Sequence, residues 1–301
     1  MKHSFLLLSI AALAIGAFGC KPAPKAGFES SAPAGPAPVD IQFTNTSQNA
    51  DRYEWSFGDG QSSTEESPSH TYTAFGNLLV VLKAYQKDLM SVDSAYIEIP
   101  EPPRRRAVIE TSFGNITVEL SNRTPQHRDN FIKLAEEHFY DSLLFHRVMS
   151  GFMIQGGDPN SKNAKAGQML GQGGPGYTIP AEIVPDLIHT KGALAAARLG
   201  DQANPQKASS GSQFYLVQGH AINADVIGQI EQVRKFQLSP DQKSAYLKAA
   251  FGTPTLDREY TVFGYVVEGL EVIDLIAAQE TDPNTNRPKK DIRMKVRMIE
   301  R

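Results

Sequence analysis

The chain reads as mainly β: a small β-sandwich followed by a larger β-rich domain that also carries helices. Three observations predict this. Apolar and polar residues alternate with period two from Val39 to Ile99, with turn residues between the runs. A stiff charged stretch, Pro100 to Arg106 (PEPPRRR), then breaks the pattern. Beyond it, period-two segments share the chain with segments of helical period.

The amino terminus reads as an export signal over 1–19: Lys2 and His3, an apolar run from Phe5 to Ile15, then Ala17-Phe18-Gly19. The run is too short to span a bilayer as a folded helix. Cys20, the only cysteine, follows it directly and resembles the lipidated position of a bacterial lipoprotein box. This resemblance implies a lipid-anchored tether over 20–25, a membrane partner through that lipid, and a place in the cell envelope. Lys21 supplies no acidic retention signal, so an outer-membrane position facing the periplasm is expected. With one cysteine there is no intrachain disulfide.

In the sandwich, Val39, Ile41 and Phe43 alternate with polar neighbours, as do Tyr53, Trp55 and Phe57, and Leu78, Val80 and Leu82. Asn45 to Asn49, Gly58-Asp59-Gly60, Ser67-Pro68 and Gly76-Asn77 supply the turns. Four or more short strands without a helix suggest a sandwich. The segments YEWSFGDGQSS and SPSHTYTAFGNLLVVLKA resemble the PKD domain, over 26–100. Trp55 and Phe57 read as its core, Asp59-Gly60 as a hairpin turn and His70 as a packing residue; envelope protein or glycan contact is the functional alternative. Residues 101–106 form the linker.

From Ala107 the pattern changes. Ala107 to Glu110 and Ile116 to Leu120 flank a turn at Ser112 to Asn115. Thr124 and Pro125 start a helix as N-cap and first-turn proline, with His127, Phe131, Leu134 and Ala135 on its buried stripe. Leu270 to Ala278 forms a second amphipathic helix, and Ile292 to Ile299 alternates like a closing strand. Between them, 219–254 reads as a helical insertion. Val226, Ile227, Ile230 and Val233 share one face, and Ser239-Pro240-Asp241-Gln242 begins a second helix with a capping box.

The most informative stretch is FHRVMSGFMIQGGDP, 145–159. It sets Arg147 and Gln155 among Phe145, Val148, Phe152, Met153 and Ile154, then turns at Gly156-Gly157. It holds no acid–base pair, metal ligand set or activated nucleophile. One fixed cation and one amide on an apolar wall suit a reaction that moves no protons, such as rotation about an X–Pro bond. The barrier to amide rotation is ~18–20 kcal/mol because the nitrogen lone pair is delocalised. A guanidinium that favours the twisted amide would lower it. His146 reads as a structural hydrogen-bonding residue, since no base is needed.

The stretch resembles the cyclophilin family of peptidyl-prolyl cis-trans isomerases. The resemblance implies a closed antiparallel β-barrel capped by two helices over 107–301. It implies catalytic roles for Arg147, Phe152 and Gln155, with Met153 beside them in the proline pocket. KGALAAAR (191–198) places Ala197 and Arg198 on the rim that holds substrate backbone. SGSQFYLVQG (210–219) adds Gln213, Phe214 and Tyr215, the last standing where the family has a pocket phenylalanine. LDREYTVFGYVVEG (256–269) adds Leu256 and Tyr260. Thr255 stands where animal members carry a tryptophan important for cyclosporin binding, so weak sensitivity is expected. The Gly-rich run GQMLGQGGPGYTIPAEI (167–183) lacks the Lys-Ser/Thr of a phosphate loop and matches a family loop instead. No cofactor or metal is implied. The implied partners are proline-containing unfolded or extended polypeptides. A formal net charge of −3 argues against nucleic acid. Two rival readings stay open: a proline-segment binding or chaperone module with little turnover, and envelope adhesion through the PKD-like domain.

Overall fold

The computed structural model describes residues 22–299 except 166. The expected export signal and Cys20 lie outside the described residues. The chain divides into two compact units between Pro102 and Pro103.

The first unit holds seven strands: β1 (Phe28–Ser30), β2 (Val39–Asn45), β3 (Arg52–Ser56), β4 (Ser62–Ser63), β5 (Ser69–Tyr72), β6 (Gly76–Gln86) and β7 (Leu89–Ile99). They form two sheets, β1-β2-β5 and β4-β3-β6-β7. Ile41, Phe43 and Tyr72 from one sheet pack on Trp55, Leu82 and Ile97 from the other. The alternation in the sequence is therefore the inside–outside alternation of a sandwich. Trp55 keeps its one donor satisfied by giving Nε1–H to the Glu65 carbonyl at 2.9 Å. His70 stacks on Phe57 with ring centroids 4.0 Å apart and bonds Asp59 through Nε2 at 2.8 Å.

The second unit contains β8 (Arg106–Thr111), β9 (Gly114–Leu120), α1 (Pro125–Glu136), β10 (Leu143–Met149), β11 (Met153–Gly156), β12 (Thr178–Ile179), β13 (Ala193–Ala196), β14 (Ser209–Ser210) and β15 (Phe214–Val217). Then come β16 (His220–Ala221), α2 (Ala224–Arg234), α3 (Pro240–Ala249), β17 (Phe251–Gly252), β18 (Val262–Glu268), α4 (Leu270–Ala277) and β19 (Arg293–Ile299). Eight strands close a barrel in the order β10-β11-β15-β13-β18-β9-β8-β19, each pair antiparallel. Closure leaves no open edge among them. The interior is filled by Ile109, Val118, Phe145, Ile154, Leu194 and Leu216, and by side chains of α1 and α4 that pack against them.

Several local expectations need correction. The β8–β9 turn is only Ser112-Phe113, because Thr111 already pairs with Gly114, whose φ is +127°. Thr124 holds the N-cap position of α1, but its hydroxyl makes no capping bond. The Glu182 carboxylate does that work, accepting from the backbone N–H of Gln126 (3.1 Å) and His127 (3.0 Å). A carboxylate at a helix start also meets the positive end of the helix dipole. On α2, Val233 is 76 % exposed while Ile227, Ile230 and Glu231 are buried. The buried Glu231 accepts from the Leu238 N–H at 2.7 Å and from Lys243, so the polar residue is used to join the two insertion helices. The capping box of α3 is complete, with Ser239 and Gln242 satisfying each other's backbone N–H.

Candidate functional site

Outward-facing side chains of adjacent barrel strands converge on one cavity of about 250 Å³. Period two alone would put Phe145 and Arg147 on the same face of β10. A register shift between them against β11 breaks that rule. Phe145 and Val148 enter the barrel core, while Arg147 is left on the outer wall, paired directly with Gln155. A bulge that re-aims one side chain is a recurrent device beside functional sites.

One wall of the cavity is apolar: Phe152, Met153, Ala197, Tyr215, Leu256 and Tyr260 line it and belong to one hydrophobic cluster outside the barrel core. Tyr260 meets Tyr215 edge to face at 5.9 Å. Arg147, Gln155 and Arg198 supply polar groups at its margin. Arg198 has only 4 % of its side chain exposed, and its guanidinium is committed to Glu259, Asp201 and the Leu199 carbonyl. It stacks over the Tyr260 ring at 4.5 Å and so builds the rim.

Arg147 is placed differently. Among the described residues no carboxylate pairs with it; Nη1 donates to Gln155 Oε1 at 3.2 Å. A chain of amides sets that acceptor. The Gly171 and Gly173 carbonyls accept both hydrogens of Gln213 Nε2 at 3.0 and 2.7 Å, which turns Gln213 Oε1 toward Gln155 Nε2 at 3.1 Å. Gln155 must then present its oxygen to Arg147. Gly157 follows β11 with φ +89°, and a Cβ there would sit 2.2 Å from the Ser212 carbonyl oxygen, so only glycine allows this turn. The result is a partly exposed guanidinium, oriented by one neutral acceptor, beside a hollow able to take an apolar ring.

A family model described as cyclophilin type peptidyl-prolyl cis-trans isomerase/CLD matches residues 106–298, more than half of the 301-residue chain. The chain belongs to the cyclophilin family. A PKD domain model matches residues 20–98. A Streptococcus pyogenes protein, named for phosphatase and peptidyl-prolyl cis-trans isomerase activities, is 35% identical over 190 residues; these make up 62% of this chain and 37% of that protein. A Staphylococcus aureus protein named for the isomerase activity is 32% identical over 188 residues, 62% of this chain and 87% of its own length. A crystal structure of a Cryptosporidium parvum cyclophilin-type isomerase aligns with 66% of this chain and 99% of its own at 23% identity, with a TM-score of 0.47.

Two expected contact residues of this cyclophilin lie elsewhere. Phe214 points into the barrel, 1 % exposed, among Phe131, Tyr140 and Phe145; it is core and not a substrate contact. The alternation of β15 decides this, since Tyr215 faces the cavity and its neighbours must face inward. Gln213 sits behind the lining as the middle of the amide chain. The reverse also occurs. Gln168, Met169 and Gly171 of the Gly-rich loop, and Thr285 and Arg287 ahead of β19, line the cavity without any local pattern that marks them. Met169 is 74 % exposed at the lip. Arg287 is tied to Asp291 and the Lys165 carbonyl.

His146 departs from expectation as well. It is buried against the cavity, but neither ring nitrogen has a hydrogen-bond partner. The unpaired extra residue of the bulge has no strand partner to aim it. Burial lowers its pKa from 6.5 to about 4, with Asp158 opposing the shift and Arg147 adding to it. A folded-state value below the unfolded one means that the unfolded chain takes up the proton first. The stability tied to a neutral His146 is complete above about pH 6.5 and lost as pH falls toward 4. Unfolding free energy followed from pH 7 to pH 4 drops by roughly 3 kcal/mol more in the wild type than in His146→Gln. Identical pH slopes for the two proteins would exclude this.

Proposed function

We propose that this chain is a lipid-anchored peptidyl-prolyl cis-trans isomerase that turns X–Pro bonds of unfolded or extended polypeptides and assists folding in the cell envelope. The observation that carries the catalytic part is Arg147: a cation held by Gln155 Oε1 at 3.2 Å, with no carboxylate partner among the described residues, beside the apolar wall of Phe152, Met153 and Leu256.

The wall takes the pyrrolidine ring out of water, which contributes about 25 cal/mol per Å2 of apolar surface covered. Donors on Arg198 and on Arg287 are occupied, so Arg147 is the cation that faces substrate. As the imide twists, its nitrogen becomes pyramidal and its lone pair localises. A guanidinium N–H donates to that lone pair more strongly than to the planar ground state, and such differential binding accelerates the step. Gln155 keeps the guanidinium aimed. No proton is transferred, so neither His146 nor any carboxylate is required.

The test is isomerisation of an Ala-Pro peptide followed by exchange NMR, with Arg147→Ala beside the wild type. The export signal and Cys20 support the anchored location; growth with radiolabelled palmitate labels the wild type and leaves Cys20→Ser unlabelled if the anchor is real. Thr255 in place of an indole supports weak cyclosporin sensitivity, and tight inhibition in the same assay would refute it.

For the PKD domain we propose contact with an envelope protein. On its outer sheet face Leu79 pairs directly with Tyr96, and Met90 and Val92 follow on the same side of β7; Tyr96 is 68 % exposed. Exposed apolar side chains grouped on one sheet favour a protein surface over glycan.

A further inference from the structure

Tyr215 carries a hydroxyl that a phenylalanine in the pocket wall would lack, and the structure gives that hydroxyl a fully buried partner. It lies 3.0 Å from His189 Nε2. His189 Nδ1 lies 2.8 Å from Asp257 Oδ1, which also accepts the His189 backbone N–H at 2.9 Å. The other carboxylate oxygen of Asp257 accepts from the Tyr246 hydroxyl at 2.7 Å. None of the four side chains is more than 4 % exposed. A carboxylate oxygen accepts, so in the neutral imidazole Nδ1 carries the hydrogen, Nε2 is the acceptor and Tyr215 donates. The bonds converge on Asp257, from Tyr215 through His189 on one side and from Tyr246, on α3 of the 219–254 insertion, on the other.

The other insertion helix reaches the same wall from the surface. Arg234, in the last turn of α2, donates to Glu259 Oε1 at 2.7 Å. Glu259 Oε2 accepts from Arg198 at 3.3 Å, and Arg198 stacks on Tyr260, whose ring meets Tyr215. Each helix of the insertion is thus linked, through two intervening side chains, to an aromatic ring of the pocket.

We infer that the insertion is a positioning element of the proline pocket, with Tyr246 acting through Asp257 and His189 to lock the Tyr215 ring, and Arg234 acting through Glu259 and Arg198 to hold Tyr260. The inference rests on the isomerase reading for what the pocket does. A tyrosine tethered at its hydroxyl holds its depth and tilt in the wall, where an untethered ring could shift with each bound proline. In a dry interior such a network is rigid when every member is satisfied and loosens when one is removed.

A double-mutant cycle on the full chain tests it. Tyr246→Phe lowers kcat/KM for an Ala-Pro peptide about fivefold, carried mostly by KM; in the Tyr215→Phe background the same change costs less than about twofold, because the ring no longer depends on the relay. The 15N shifts of His189 move with Tyr246→Phe. Arg234→Ala, at a surface position, raises KM about twofold. Equal kinetic losses in both backgrounds would mean a general packing effect and would overturn the inference. So would an unchanged KM in a folded Tyr246→Phe protein. Should Tyr246→Phe not fold, an unchanged KM for Arg234→Ala overturns it alone. If the wild type shows no turnover, the isomerase reading fails, and the same cycle read as peptide affinity still decides the positioning role.

Discussion

Arg147→Ala lowers kcat/KM for X–Pro isomerisation by about 10²–10³-fold, the usual cost of removing one preorganised donor from a transition state. Peptide affinity changes by less than about fivefold, because the apolar wall of Phe152, Met153, Tyr215 and Leu256 stays in place and supplies most of the ground-state binding. The split follows from what each group meets. In the proposed mechanism the wall binds the ring alike in the ground and transition states, whereas the guanidinium gains its strongest partner only when the nitrogen lone pair is localised. Arg147→Lys recovers only part of the rate. An ammonium keeps the charge but loses the planar fork that can hold Gln155 Oε1 and the substrate together. Exchange NMR gives the rate and peptide titration gives the affinity on the same samples. A parallel collapse of affinity and rate would instead make the groove a capture site for proline segments, with turnover incidental.

Phe214→Ala costs about 3–5 kcal/mol of unfolding free energy, the range for deleting a buried aromatic side chain. Phe214 is 1 % exposed and stands edge-on to Phe131 and Tyr140 at 5.6 Å each. These rings tie α1 to the inner face of the barrel, so the cavity left behind cannot close without moving the helix. Denaturant unfolding measures the loss. The surviving folded fraction keeps a KM close to wild type, because the side chain does not reach the proline cavity. A raised KM without lost stability would return Phe214 to the substrate contacts and would contradict its position in the core.

How much was legible differs between residues for physical reasons. Strand alternation and helix periodicity are local, so Trp55 in the sandwich and Phe131 on the buried stripe of α1 could be read directly. The capping box at Ser239 is a four-residue signal, and it is present as read. The N-cap of α1 is different: its acceptor, Glu182, lies 55 residues from His127 and cannot be seen in a local window. The facing of Phe214 was readable once Tyr215 was assigned to the cavity, since neighbours on a strand face opposite ways; motif resemblance alone blurred it. Arg147 was visible as an arginine in an apolar run, but its release from the core depends on a bulge that the alternation rule contradicts.

The sequence by itself determined the mainly β class, the break between two units near PEPPRRR, and the residue types brought to the site: a cation, one amide and an apolar set within 145–159. These depend on composition and short-range period, which a linear string carries. Only the tertiary structure decided which way Arg147 points, that Gln213 aims Gln155 instead of lining the cavity, that His146 is left without a partner, and that the 219–254 helices connect through bonded side chains to the pocket rings. Those outcomes depend on contacts between residues tens of positions apart, where strand register and donor–acceptor direction select one arrangement from many that the same string allows.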